Sequence, residues 1–207
     1  MLAMKVTSTR DVPLDVLREL KVQLAPEFDL DVETRIDLRS TDPPSWITFI
    51  AESQWWVQAL AAYAALYVAE IVREAGKETW RNRGRAFAVL RSSSDQTKRL
   101  ATAIATTLAG LRPRTRAAVG LPVPDDVYTT HLYLSSRDEN ELAVELAMFV
   151  HHLPALMNLL QTDGVTSGRI SGWVGLDFLA DGSLEVSWFD RYTLEPVRRV
   201  IPFHDAP

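Results

Sequence analysis

The stretch from Trp46 to Ala75 constrains the fold more than any other part of this 207-residue chain. Placed on a helix at about 100° per residue, its apolar residues form one stripe, and the middle of the helix is apolar nearly all round. The stripe consists of Trp46, Ile50, Val57, Leu60, Ala61, Ala64, Val68 and Ile71. A helix of this kind is buried by protein or lies in lipid. The pattern therefore predicts a long central apolar helix over residues 46–75, against which the other elements pack.

Shorter patterns predict the elements around this helix. Residues 30–38 alternate apolar and charged side chains, as in a strand with one face in water. Capping boxes that begin at Ser93 and Ser136 predict two further helices. Pro154 lies inside the second of these helices and is expected to kink or end it, because proline lacks the N–H that the helix needs.

The C-terminal forty residues predict a β-meander. The alternation on either side of residues 180–182 is that of a hairpin, and a three-residue loop pairs Phe178 with Leu184. This loop also places Gly182 at the left-handed position that such turns require. The same register makes Asp177 and Glu185 near neighbours on the polar face. A further strand over residues 197–203 completes the meander.

Together these elements predict an α+β fold in a single domain over residues 1–207. Residues 1–42 form an N-terminal strand–helix–strand unit, residues 43–111 a helical block, and residues 112–207 a strand–strand–helix–meander half. The sheet or sheets are expected to be antiparallel. The C-terminal meander is expected to pack against the long central helix and additional helices.

The charge distribution is uneven along the chain, whose net charge is −5. Between Lys77 and Arg116, ten basic residues accompany two acidic ones, so this segment carries +8 and the remainder −13. Such a chain can attract an anionic partner through its basic segment. The alternative is that the segment packs beside its own acidic flanks. The predicted partner-binding residues are Arg81, Arg83, Arg85, Arg91 and Lys98.

The sequence carries no motif of a known chemistry. It has no phosphate-binding P-loop, no dinucleotide fingerprint and no nucleophile elbow. Cysteine is absent, which excludes a thiolate nucleophile. The adjacent His151 and His152 point about 100° apart on a helix and cannot share one metal ion. Paired carboxylates such as Asp177 and Glu185 can perform acid–base chemistry, but here they are expected to face water. No cofactor and no metal site are predicted.

These observations favour a non-enzymatic, cytosolic protein that binds another macromolecule, of an immunity, adaptor or defence-accessory type. The expected partner is another protein or an acidic surface. The isoelectric point near 5.4 disfavours nucleic acid. One alternative is a membrane-active protein that uses the apolar helix 46–75 and the adjacent basic segment, since residues 53–69 carry no charge. A second alternative is an enzyme whose site is assembled from scattered residues.

Overall fold

The computed structural model describes residues 2–9, 12–25, 28–34, 46–51, 95–122 and 129–203. These residues contain eight strands and three helices, which confirms the α+β class. In chain order they are β1 (Leu2–Ser8), α1 (Leu14–Leu24), β2 (Phe28–Thr34), β3 (Trp46–Ala51), α2 (Asp95–Ala109), β4 (Arg116–Pro122), β5 (Thr129–Tyr133), α3 (Glu139–Thr162), β6 (Val174–Phe178), β7 (Leu184–Phe189) and β8 (Pro196–Ile201).

All eight strands form one sheet in the order β2-β1-β3-β4-β5-β6-β7-β8. The sheet is mixed, so the predicted antiparallel arrangement is wrong. The pairs β1–β2, β3–β4 and β5–β6 are parallel, and the other four neighbouring pairs are antiparallel. Parallel neighbours need a long crossover connection, usually with a helix. The connections of the three parallel pairs contain α1, α2 and α3, respectively.

The predicted helix over residues 46–75 is wrong at its start, because Trp46–Ala51 form β3. This strand pairs with β1 on one side and with β4 on the other. Ile47 and Phe49 are fully buried toward one face of the sheet, and Thr48 is buried toward the other. Residues 52–75 lie outside the described residues. A long central apolar helix is therefore not seen in the part of the chain that the structure describes.

The core lies between one face of the sheet and the helices. One row of paired residues crosses the sheet on this face and is apolar from β2 to β7. It runs through Val32, Val6, Phe49, Val119, Leu132, Leu176 and Val186. α2 packs on α1 and α3, and α3 reaches β7 and β8. The contact of α3 with the C-terminal strands includes His152. Its ring lies against Phe178 and Phe203, and its Nε2 is 3.1 Å from the Gly182 carbonyl oxygen.

The N-cap of α3 lies two residues after the predicted one. Asp138, not Ser136, is the N-cap, and its Oδ1 accepts hydrogen bonds from the backbone N–H groups of Asn140 and Glu141. The predicted kink at Pro154 is confirmed, because the segments Glu139–Phe149 and His152–Thr162 are inclined by 47°. Within the described residues, no single helix has the length and apolar composition to cross a membrane, although these two bent segments together pass that test.

The predicted C-terminal meander is confirmed in its register. Phe178 pairs with Leu184 and Leu176 with Val186, and Gly182 has a φ of 85°, in the left-handed region. β8 pairs antiparallel with β7 and completes the meander. The meander packs against α3, which is one of the additional helices predicted, whereas any packing against residues 52–75 lies outside the described residues.

Candidate functional site

The predicted basic surface is not tested by the structure. Arg81, Arg83, Arg85 and Arg91 lie outside the described residues, and Lys98 lies in α2. The five residues therefore stay a prediction. The site described below is built from other residues, on the face of the sheet opposite α3.

The second face of the sheet, which is the face opposite α3, is covered at β4 and accessible to solvent from β6 to β8. Its central row of paired residues is Ile50, Gly120, His131, Gly175, Ser187 and Arg198. On β4, Ala118 and Gly120 are buried. On β7 the corresponding residue, Ser187, is half-buried, and on β8 Arg198 is exposed.

A cavity of about 370 Å³ lies on the open part of this face. Gly175 and Ser187 belong to adjacent strands and form its floor, where the Ser187 hydroxyl donates a hydrogen bond to the Gly175 carbonyl oxygen. The other lining residues are Tyr133, Ser171, Trp173, Asp177, Glu185, Trp188, Phe189, Pro196 and Arg198. The floor is thus part of a hydrogen-bonded sheet, which holds the lining side chains at fixed spacings.

Two aromatic side chains, Trp173 and Tyr133, form one wall of the cavity. The Trp173 indole N–H donates a hydrogen bond to the Tyr133 hydroxyl, although 52% of Trp173 is exposed. His131 stacks on Trp173 with a centroid distance of 5.5 Å, and Trp46 contacts Tyr133 at 5.2 Å. Burial raises the pKa of the Tyr133 hydroxyl, which keeps this group protonated. The side chains of the wall are therefore held by contacts with one another, and Trp173 is the exposed one.

Gly175 makes room for this wall. A Cβ atom at this position would lie 3.2 Å from Cε2 of Tyr133 and 3.1 Å from the Ser187 hydroxyl oxygen. Both distances are shorter than ordinary van der Waals contact, so a side chain on the floor would displace the Tyr133 ring. The absence of a side chain at residue 175 lets the ring lie close to the sheet.

A carboxylate pair forms the acidic end of the cavity. Asp177 of β6 lies directly opposite Glu185 of β7. Partial shielding of the Asp177 carboxyl from water, and then repulsion by Glu185, raise the pKa of Asp177, and Arg116 partly offsets them. In the described part of the chain, neither carboxylate accepts a hydrogen bond or forms an ion pair. The pair is thus a concentration of negative charge on one side of the cavity.

The opposite end of the cavity is apolar and continues into the turn between β7 and β8. Phe189 is 41% exposed and pairs with Pro196, and Tyr192 in the turn is 76% exposed. Asp190 holds this turn. Its carboxylate accepts hydrogen bonds from the Arg169 guanidinium and from the backbone N–H groups of Tyr192 and Thr193. These hydrogen bonds, the one from Arg169 foremost, lower the pKa of Asp190.

The structure places several predicted polar residues without grouping them as metal ligands. Asp177 and Glu185 are cross-strand neighbours as predicted, and His131 lies in a strand as predicted. His152 is buried in the core. No group of three or more His, Cys, Asp or Glu side chains among the described residues could hold a metal ion.

The aromatic wall was not found by sequence reasoning. Trp173 is separated from Tyr133 by 40 residues, and only the parallel pairing of β5 with β6 brings them together. The hairpin register was the one available signal, because it places Asp177, Glu185 and Ser187 on a single polar face. That signal identifies the face but not the residues that β5 adds to it.

The chain matches no protein-family model, no curated protein and no solved structure.

Proposed function

We propose that this protein functions by binding another protein through the open face of β6–β8. The observation that carries the proposal is the pair of exposed aromatic side chains that line the cavity, Trp173 and Phe189. Aromatic residues are enriched at protein interfaces, and tryptophan and tyrosine provide a large share of the binding energy there. Large aromatic side chains grouped around a cavity are therefore a signature of a binding surface.

The geometry also supports a binding site that is formed before the partner arrives. The floor is a sheet, and the exposed Trp173 is held by its hydrogen bond to Tyr133 and by stacking on His131. A side chain that is already ordered loses little conformational entropy on binding. The polar residues Asp177, Glu185 and Arg198 lie at the edges of the cavity, where they can orient a partner.

Acid–base catalysis is a second candidate function, and one observation favours it. Asp177 has a raised pKa and lies opposite Glu185 in a cavity, and paired carboxylates can perform acid–base chemistry. Binding is the better supported function because the Asp177 side chain is exposed. Among the described residues, moreover, no histidine or nucleophilic side chain is hydrogen-bonded to either carboxylate.

Quantitative affinity purification tests the binding function. The double substitution Trp173→Ala with Phe189→Ala removes the exposed aromatic groups of the cavity. The matched control is Leu14→Ala with Val22→Ala, which truncates two exposed hydrophobic side chains of α1. Immobilised wild-type and variant proteins are incubated with a lysate of the source cells, and the captured proteins are quantified by mass spectrometry.

A binding surface predicts that at least one protein captured by the wild type and by the control is lost from the cavity variant. The melting temperature of the cavity variant should stay close to that of the wild type. Identical capture by all three proteins would contradict the proposed function.

A further inference from the structure

We propose that the partner inserts a single basic side chain, arginine or lysine, between the aromatic wall and the carboxylate pair. The wall is Trp173 with Tyr133, and the pair is Asp177 with Glu185. This inference rests on the proposed binding function and specifies the chemistry of the group that is bound.

The carboxylate pair places two negative charges side by side on one face of the sheet. Like charges placed directly opposite each other on antiparallel strands destabilise a sheet. Arg116 attracts Asp177 electrostatically but forms no ion pair with it within the described residues. A cation from a partner would reduce the repulsion between Asp177 and Glu185 and would gain two charge-assisted hydrogen bonds.

The aromatic wall also favours a basic side chain in the cavity. Arginine and lysine are attracted to the faces of tryptophan and tyrosine rings, because the ring quadrupole is negative on its face. Trp173 is half-exposed and is held in place by Tyr133 and His131. The aromatic wall and the carboxylate pair border the same cavity. A basic side chain in the cavity can therefore contact a ring and a carboxylate together.

The charge of Arg198 limits the occupant of the cavity to one basic group. Arg198 borders the same cavity, so the lining carries two carboxylates and one guanidinium. A strongly polybasic segment would be repelled by Arg198. A phosphate group would be repelled by the two carboxylates. The lining thus fits a protein segment in which one arginine or lysine is flanked by neutral or acidic residues.

Selection from peptides of random sequence tests the inference. A dodecapeptide library displayed on phage is selected against the wild type, the Trp173→Ala variant, and the double variant Asp177→Asn with Glu185→Gln. The double variant keeps the shape of both side chains and removes their charge. The control variant is Asp15→Asn with Glu19→Gln, which removes two exposed charges from α1. Affinities of the selected peptides are measured by fluorescence anisotropy.

The inference predicts that peptides selected by the wild type share one arginine or lysine. Replacing that residue with citrulline or norleucine should weaken binding about tenfold, and the carboxylate double variant should weaken it to a similar extent. The control variant should bind as the wild type does. Trp173→Ala should also weaken binding.

Two results would overturn the inference while the proposed function stands. One is a set of selected peptides that needs Trp173 but neither a basic residue nor the carboxylates. The other is sedimentation velocity showing self-association that the carboxylate double variant abolishes, since the occupant would then be a second copy of this chain. If no selected peptide depends on Trp173, both the inference and the proposed function fail.

Discussion

The middle of the sheet and its β8 edge differ in how they are covered. At β4, residues that point to either face are buried, as Ala118 and Val119 show, and on β3 Thr48 and Phe49 are buried toward opposite faces. At β7, buried residues alternate with half-buried and exposed ones. Strands that are covered on both faces serve the core. A strand covered on one face can offer its other face to a partner, and the cavity lies on that face.

The largest difference is expected for a charge placed on the second face, once in the middle of the sheet and once at its β8 edge. Ala118→Lys is expected to prevent folding, because Ala118 is 1% exposed and an unpaired buried charge costs several kcal/mol. The whole stability of such a domain is only about 5–15 kcal/mol. Val200→Lys is the matched change on β8, where the residue is 50% exposed and lies opposite Glu185. It should leave the free energy of unfolding within about 0.5 kcal/mol of the wild type.

Soluble expression and urea denaturation measure both variants. A folded Ala118→Lys protein with near-normal stability would show that β4 is open on the second face. A strongly destabilised Val200→Lys protein would show that β8 is covered there.

The second prediction compares the two faces of β7 at neighbouring residues. Trp188 is 5% exposed on the helix side, where the guanidinium of Arg199 lies 5.9 Å from the centroid of its ring. Trp188→Ala should lower the free energy of unfolding by about 3–5 kcal/mol. Phe189→Ala removes a side chain that is 41% exposed and should cost less than about 1.5 kcal/mol. Equal losses in thermal or chemical denaturation would remove the distinction between the faces.

The same difference between the middle of the sheet and the region near its β8 edge explains what could be predicted from the sequence. β7 has one face in partial contact with water, so its residues alternate and the register of Phe178 with Leu184 could be derived. β3 (Trp46–Ala51) carries no charge and has Thr48 as its single polar residue, so its sequence is a largely apolar run. A short apolar run is compatible with a strand or with part of a buried helix, and periodicity does not separate them. The predicted helix from Trp46 was wrong for this reason.

The mixed topology and the aromatic wall depend on contacts that no local pattern records. Parallel pairing of β5 with β6 joins strands separated by the whole of α3. Local reasoning favours pairing between strands that are close in sequence, which yields an antiparallel sheet. The carboxylate pair of Asp177 and Glu185 was predictable because both residues belong to one hairpin. Trp173 with Tyr133 was not, because their contact requires the crossover.

The third prediction concerns the two glycines of the second face. A Cβ at Gly120 would lie 3.1 Å from Cγ1 of Ile50, and at Gly175 it would lie 3.1 Å from the Ser187 hydroxyl oxygen. Gly120 is buried in the covered part of the face, so Gly120→Ala should cost about 1–3 kcal/mol. Around Gly175 the cavity lets Ser187 and Tyr133 shift, and Gly175→Ala should cost less than about 1 kcal/mol. Chemical denaturation of the two variants compares them, and a larger loss for Gly175→Ala would contradict the difference in packing.

The fourth prediction is the smallest and concerns pH. The pKa of Asp177 is raised above its ordinary value of 3.8, so protonation of this group stabilises the fold. The stabilisation is fully present below pH 3.8 and is lost as the pH rises through the raised pKa. Asp177→Asn should therefore raise the stability at neutral pH, by less than about 1 kcal/mol because the group is exposed. The gain should vanish in acid.

Asp190 lies in the same meander and should show the opposite dependence of stability on pH. Its pKa is lowered below 3.8, so its ionised form stabilises the fold above that pH, and the stabilisation is lost as the pH falls through the lowered pKa. Asp190→Asn should lower the stability at neutral pH and lose that effect in acid. Denaturation curves recorded across the acid range compare the two variants. If both variants were less stable than the wild type at neutral pH, a cation would have to stabilise the ionised Asp177 carboxylate.

Hydroxyl-radical footprinting of the monomeric protein tests most directly whether the face of β6–β8 is available to a partner. Oxidation of individual side chains is quantified by mass spectrometry after short exposure. The structure predicts that Trp173, which is 52% exposed, is oxidised much faster than Trp188, which is 5% exposed, and that Phe189 is oxidised faster than the buried Phe49. Protection of Trp173 and Phe189 to the level of Trp188 and Phe49 would show that the face is covered within the protein itself, and would contradict its role as a binding surface.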